Sequence, residues 1–431
     1  MTMDLREVLA EELDWRFKAF PLSRRDVAVR IGEVAGQEWE ALEGDLVFPV
    51  MLIKDGILRA NIDLLARWCE DRGVSLAPHV KTPVAPQIAD LQLAAGAWAL
   101  SVATIHQAAV MRRFGATRLL MANQLIDAAA LRWIAAQVAS DPAFEFFCLV
   151  DSEAGVDRME EALDAVGFSA KLHVLVEIGA DGGRCGCRTV DEARAVAARV
   201  AGSRHLRLAG VEVYENVFAE EDLGKRLASI DALLDRVRDA VEVLDRADLF
   251  QAEELIVSGG GSLYFDRVFE RLGGVWGTRR PVRLVLRCGS YVTQDDVAYA
   301  ELSPLAGRAP RASGSARLAQ ALEAWGMVLS RPERELAVVG LGKRDVAHDR
   351  GFPRPFALKR RGASITPSEG LEVLSLNDQH SRLRLPADAD LEPGDLVGFR
   401  ISHPCTTFDN WRALPVVDDG YRVISAVRCY L

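Results

Sequence analysis

Between residues 47 and 300, short β-branched apolar runs alternate with longer stretches of helical periodicity, and this alternation constrains the fold more than any other feature of the chain. Parallel strands need a crossover between them, so a strand, a helix and a second strand repeating every ~25–30 residues is the signature of a parallel sheet. The strand candidates are 48–53, 75–80, 97–103, 118–122, 144–150, 172–178, 208–214, 255–258 and 282–286. Amphipathic segments at 105–114, 127–138, 152–166, 189–200 and 222–244 lie between them. Thr189 opens one of these helices, because Asp191 and Glu192 follow in the first turn, where carboxylates meet the positive end of the dipole. About eight such units in roughly 250 residues favour an α/β fold closed into a (β/α)8 TIM barrel over an open doubly wound sheet. Either architecture puts its chemistry at the C-terminal ends of the strands.

The pattern changes after residue 300. Strand-like runs at 337–339, 371–375, 396–401 and 421–427 are separated by Gly, Pro and Asp turn signals, which reads as a smaller C-terminal β domain. The expected organisation is therefore an N-terminal helical extension over 1–46, packing on the other domains, a barrel over 47–300, and a β domain over 301–431. The Ala-, Arg-, Gly- and Ser-rich segment 309–317 is a candidate flexible connection. A chain of 431 residues with 49% hydrophobic content has enough apolar material for both cores. Its net charge of −10 comes from mixed signs without a basic stripe, which disfavours nucleic-acid and membrane partners. Residues 1–30 are charged throughout, and no apolar run reaches the roughly 18 residues a membrane span needs, so a cytoplasmic protein is expected. Seven scattered cysteines fit a reducing compartment better than a disulfide framework.

Four segments carry candidate chemistry. In Pro78-His79-Val80-Lys81-Thr82-Pro83 an apolar strand ends in a lysine at the barrel mouth, where a desolvated amine can form a Schiff base with a carbonyl cofactor. Alone, the same hexapeptide also reads as an ordinary solvated lysine. Ser258-Gly259-Gly260-Gly261-Ser262 joins an apolar strand to a helix beginning near Tyr264, and its exposed backbone N–H groups suit a phosphate dianion or serve simply as a permissive turn. Arg287-Cys288-Gly289-Ser290-Tyr291 ends the next strand and offers a glycine, a hydroxyl and a ring at the same rim. His403-Pro404-Cys405 follows a strand-like run; residues two apart in extended chain share a face, so imidazole and thiolate there can close on one ion, zinc better than magnesium. Cys185-Gly186-Cys187 is a competing metal or redox pair that lacks further nearby ligands.

Taken together and in this order, these segments resemble the D-serine dehydratase and D-threonine aldolase family, whose members share the fold-type III pyridoxal-phosphate barrel of alanine racemase. The resemblance runs from about Asp55 to Cys429. It is carried by PHVKT at 78–82, Glu177-Ile178-Gly179 followed by Arg184-Cys185-Gly186, SGGGS at 258–262, CGSY at 288–291, Gly342-Lys343-Arg344-Asp345, and HPCTTFDNW at 403–411. It implies pyridoxal 5'-phosphate as cofactor, Lys81 as its Schiff-base lysine, and Gly260, Gly261, Ser262, Gly289, Ser290 and Tyr291 around the phosphate. Arg184 and Tyr214 would line the ring pocket, and His403 and Cys405 match the family's metal pair.

The chain departs from the family in a longer N-terminal lead, in Thr82-Pro83-Val84 where a second basic residue is usual, and in the acidic strand end Glu212-Val213-Tyr214-Glu215-Asn216. The latter two fall on the substrate side. Asp181, Glu212, Glu215, His348 and His380 are unranked candidates for contacting substrate. The implied function is a metal-dependent lyase of D-3-hydroxy amino acids. A cysteine in the second ligand position looks like the zinc-using D-serine dehydratases, which give a 2-oxo acid and ammonia. The alternative is a D-threonine-type aldolase using Mn2+ or Mg2+, giving glycine and an aldehyde; a racemase and a non-catalytic cofactor-binding barrel stand further off. The expected partner is a small amino acid substrate, and a homodimer is one assembly the resemblance allows.

Overall fold

The computed structural model describes residues 2–21, 28–308 and 316–431, so 309–315 of the expected connection lies outside the described residues. The backbone forms two compact units: Met1–Thr2, Ala66–Lys81 and Gln92–Gly289 make one, and Met3–Leu65, Thr82–Leu91 and Ser290–Leu431 the other. Among the described residues no helix is long and apolar enough to cross a membrane.

The first unit holds eight parallel strands: β1 Ser75–Leu76, β2 Leu100–Val102, β3 Arg118–Gln124, β4 Glu145–Val150, β5 Leu172–Ile178, β6 Leu206–Val213, β7 Leu255–Gly259 and β8 Val282–Leu286. Each pairs with its sequence neighbour from β2 to β8, and β8 pairs back on β1. Trp98 N bonds to Leu76 O and Ser101 N to Pro78 O, which closes β1 against β2 and completes the barrel. Its interior is filled by Ala77, Ala99, Leu120, Phe147, Leu149, Leu175, Ala209, Ile256 and Val285, a mixture of small and bulky apolar side chains. The crossover helices start where polar side chains cap them: Thr104, Asp127, Ser152 and Asp222 each accept from a backbone N–H three residues on. Thr189 and Glu192 form a full capping box at the start of Val190–Ala201.

The expected strand at 48–53 is not a barrel strand. Val50–Lys54 pairs antiparallel with Leu322–Glu333 and parallel with Ala413–Val417, so residues 47–65 sort with the second unit. All five of its residues are buried, and a short run buried on both faces carries no mark of which interior sheet takes it. Residues 1–46 also differ from expectation. Among the described residues they hold a short helix at Arg6–Ala10, the paired strands Glu12–Leu13 and Val29–Arg30, and a 3-10 stretch at Ile31–Gln37. Gly32 and Gly36 interrupt the last of these, where regular helix is costly.

The second unit is built on antiparallel strands around Leu322–Glu333, flanked by Val50–Lys54 and Leu396–Arg400. Trp325, Trp411, Tyr291, Phe399 and Phe408 are its largest fully buried aromatic side chains. The expected runs appear as Leu336–Val339, Glu372–Leu376, Leu396–Arg400 and Val423–Arg428.

In the barrel, a Cβ on Gly210 would lie 1.8 Å from the Ile256 carbonyl oxygen, so β6 and β7 approach as closely as they do only because this residue has no side chain. Gly210→Ala is expected to destabilise the protein by about 3 kcal/mol, as overpacked cores do. Urea unfolding should show this as a lower midpoint at an unchanged slope; an unshifted midpoint would contradict it.

Candidate active site

Lys81 follows β1, just beyond the bridge between His79 and Ser101. It opens on a cavity of about 150 Å3 that is also lined by His79, Asn123, Gln124, Glu177, Arg184, Tyr214 and Arg287. These come from the C-terminal ends of β1, β3, β5, β6 and β8 and the loop after β5, the end at which a parallel barrel gathers chemistry. The Arg184 guanidinium lies over the Tyr214 ring, 4.2 Å from its centroid. Gln124 Nε2 donates to Glu177 Oε2 at 2.5 Å. Burial pushes the Glu177 carboxyl up, and burial with the cations Lys81, Arg287 and Arg184 holds His79 well below the usual imidazole range. His79 is therefore neutral and suited to accept rather than carry charge.

The glycine turn after β7 has the form of an anion cradle. Gly260 has φ +83°, and a Cβ there would sit 2.6 Å from Leu286 Cδ2. Gly261 N donates to Glu215 Oε1 at 2.7 Å and Gly260 N to Glu215 Oε2 at 3.1 Å. Two adjacent backbone donors converging on one carboxylate show that the turn fits an anionic group, as a phosphate would require. Behind the cradle, Arg287 Nε donates to Ser258 Oγ at 3.1 Å, and Nη2 donates to Val213 O at 2.9 Å and to Glu212. Glu212 is 1% exposed, and its Oε2 has no partner among the described residues. Burial raises its carboxyl to about 8, against the pull of Arg287 and with the help of Glu177 and Glu215.

In the second unit, His403-Pro404-Cys405 is not the extended segment the sequence suggests. His403 is the N-cap of the short helix Pro404–Phe408, with Pro404 in its first turn, where a missing N–H costs nothing. His403 and Cys405 meet through this turn rather than along a strand. Cys405 Sγ lies 3.2 Å from Thr82 Oγ1 and 3.6 Å from Ser290 Oγ. Burial alone would raise its thiol, but bonds from His403, Thr82 and Ser290 hold it below the ordinary value. His403 Nδ1 bonds to Asp349 Oδ2 at 2.6 Å, and Thr406 Oγ1 bonds to Asp349 Oδ1 at 2.9 Å. With Nδ1 engaged by a carboxylate, Nε2 is the nitrogen left for an ion, the usual second layer of a histidine metal ligand. An imidazole and a thiolate so disposed fit a borderline-soft divalent metal.

Other sequence candidates fall elsewhere. Ser290 stands beside Cys405, Tyr291 is wholly buried, and Ser262 is buried. Gly289 abuts the His79 carbonyl, which a Cβ would approach to 2.6 Å. Asp181, His348 and His380 are exposed. Cys187 is buried, with its thiol pushed up to about 12 by burial, then by Asp151 and Glu192. Cys185 joins Asp151 and Glu177 in the one group of three ligand-type residues found among the described residues, but Asp151 already accepts from Gly186 N and Glu177 from Gln124. Sequence reasoning missed Gln124 and Asp349, neither of which stands in a local pattern that marks it, and it named Thr82 only in and around the PHVKT motif and not as a partner of Cys405.

A model of the alanine racemase N-terminal domain matches residues 53–265, and one described as a putative serine dehydratase domain matches residues 321–417. The D-threonine aldolase of Arthrobacter sp is 23% identical over 376 residues, covering 86% of this chain and 89% of the relative. The D-threo-3-hydroxyaspartate dehydratase of Delftia sp. (strain HT23) is 27% identical over 387 residues, covering 83% and 91%. The crystal structure of D-threonine aldolase from Filomicrobium marinum superposes with a TM-score of 0.72 at 25% identity, over 89% of this chain and 95% of that one.

Glu212→Leu leaves the buried Arg287 guanidinium without this acceptor and is expected to cost about 2–3 kcal/mol. Glu212→Gln keeps an acceptor and should cost about 1 kcal/mol. Because the native carboxyl holds its proton up to about 8 while an unfolded one ionises near the ordinary value, this group's contribution falls as pH rises between those limits. Denaturation followed across that window should lose this downward slope in Glu212→Gln; an identical slope in both proteins would refute the assignment.

Proposed function

This chain belongs to the D-serine dehydratase and D-threonine aldolase family of fold-type III enzymes, and we propose that within it the protein is a D-serine-type dehydratase. The family makes it a pyridoxal-phosphate-dependent lyase of small D-hydroxy amino acids. The finer reading is that a D-3-hydroxy amino acid loses its α-proton and β-hydroxyl and is released as a 2-oxo acid and ammonia. The observation that supports dehydration is Cys405: a depressed thiol paired with imidazole selects zinc over the harder metals.

The cofactor's ring would sit in the cavity of Lys81, Arg184 and Tyr214, with Gly260, Gly261, Ser262 and Gly289 on its phosphate side. Bound there, it supplies the electron sink for the breaking Cα bond. His403 and Cys405 would hold a divalent metal, which would supply Lewis-acid chemistry for a β-hydroxyl. The chain's own residues do the rest. Lys81 Nζ would hold the cofactor's carbonyl group and is the amine placed in the cavity to accept a substrate's α-proton. The Arg184–Tyr214 stack fixes one wall of the pocket, and the neutral His79 behind Lys81 adds no further positive charge. Asp349 and Thr406 orient the His403 ring. The seven cysteines, none of them in a disulfide, support the reading of a reducing compartment such as the cytoplasm. The aldolase reading rests on the relatives that carry that name.

Purified protein loaded with zinc and given D-serine, D-threonine and D-3-hydroxyaspartate should yield ammonia and matching oxo acid; glycine with aldehyde would replace dehydration by the aldolase reading. Lys81→Ala should abolish both turnover and the visible cofactor band, and undiminished activity in that variant would sink the scheme. Cys405→Ala should keep the band and lose metal-dependent turnover. Asp349→Asn should weaken zinc binding by about 10–100-fold, as loss of a ligand-orienting carboxylate does, in a calorimetric titration.

A further inference from the structure

The cradle that the cofactor reading assigns to phosphate is filled by a side chain of the protein itself. Glu215 is fully buried, and each of its carboxylate oxygens accepts one N–H, from Gly261 and from Gly260. A Cβ on Gly261 would lie 3.4 Å from Glu215 Oε1, so the carboxylate is seated against the turn. Two N–H groups so aimed cannot serve a carboxylate and a phosphate dianion together, and in a low-dielectric site the two anions repel strongly. Arg287, behind the cradle, directs Nε to Ser258 and Nη2 to Val213 O and Glu212.

Glu215 stands at the root of the irregular segment 214–222, between the end of β6 and the N-cap Asp222 of the helix Leu223–Arg246. The residue before it, Tyr214, is the ring under Arg184 in the Lys81 cavity.

Resting on the cofactor reading above, we propose that Glu215 is a built-in stand-in for the cofactor's phosphate, which occupies the glycine cradle in the cofactor-free chain and must leave it for pyridoxal phosphate to load. The phosphate then adds less net affinity than an empty cradle would give it, because its bonds to the Gly260 and Gly261 N–H groups replace ones that Glu215 already made.

The test compares pyridoxal phosphate with pyridoxal, which lacks the phosphate, by titrating the visible band of the lysine-bound cofactor. In the unaltered protein the two should bind within about tenfold of each other. Removing the competitor should free charge-assisted bonds worth about 10–100-fold, so Glu215→Ala and Glu215→Gln should tighten pyridoxal phosphate by that factor and leave pyridoxal within about twofold. Inorganic phosphate should compete with pyridoxal phosphate in the variants and not in the parent. A preference for the phosphorylated form above about 100-fold in the unaltered protein overturns the inference without needing either variant to fold. Weaker binding of pyridoxal phosphate by Glu215→Gln also overturns it, by making Glu215 a support of the site; in both cases the cofactor reading stands. A band with neither aldehyde overturns both.

Discussion

Arg287 holds the business end of the barrel together. It ends β8, and its side chain reaches Ser258 on β7 and both Glu212 and the Val213 carbonyl on β6, while its own N–H bonds to the carbonyls of Gly259 and Gly260. Three strand ends are thus pinned to one guanidinium whose planar fork of donors has a fixed geometry. Each of those ends leads into a segment on which the site depends: Tyr214-Glu215, the glycine turn, and Cys288-Gly289. Burying such a cation is costly unless it is fully bonded, so the positions of these loops follow from the requirement to satisfy it.

What the sequence reveals and conceals follows from how far each determinant reaches along the chain. Helix starts at Thr189 and the apolar runs of β3 to β8 were legible because capping and strand periodicity act within a few residues. Val50–Lys54 was assigned to the wrong sheet because its partners lie about 270 and 360 residues onward, and an all-buried strand looks the same in either core. The His403–Cys405 pair was visible, but its geometry was not. Extended chain and the first turn of a helix both bring residues two apart close together, and Pro404 is compatible with each.

The site shows the same division. Lys81, Arg184 and Tyr214 share one cavity, as the motifs that carry the family resemblance suggest. The acidity of the strand end at Glu212 and Glu215 was equally plain, yet nothing local distinguishes a carboxylate aimed at substrate from one aimed at its own backbone. Glu215 finds its partners 45 and 46 residues further on, and Asp349 meets His403 at a separation of 54. Such pairings are set by the closing of the barrel and the folding of the β unit, not by spacing.

The charges around the cavity tie these observations together. Lys81, Arg184 and Arg287 contribute three positive groups, and Glu177, Glu212 and Glu215 are three buried or nearly buried carboxyls. Burial raises all three of the latter above the ordinary carboxylate range. The two backbone donors of the cradle are already taken by Glu215, so a dianion cannot simply be added there: the carboxyl must leave the turn first. The least costly change lies at Glu215, since Glu212 is tied to Arg287 and Glu177 to Gln124, whereas Glu215 is held by two backbone donors that a phosphate satisfies equally well. The same exchange moves the residue next to Tyr214, so the filling of the cradle and the shape of the ring pocket are set by one segment of chain.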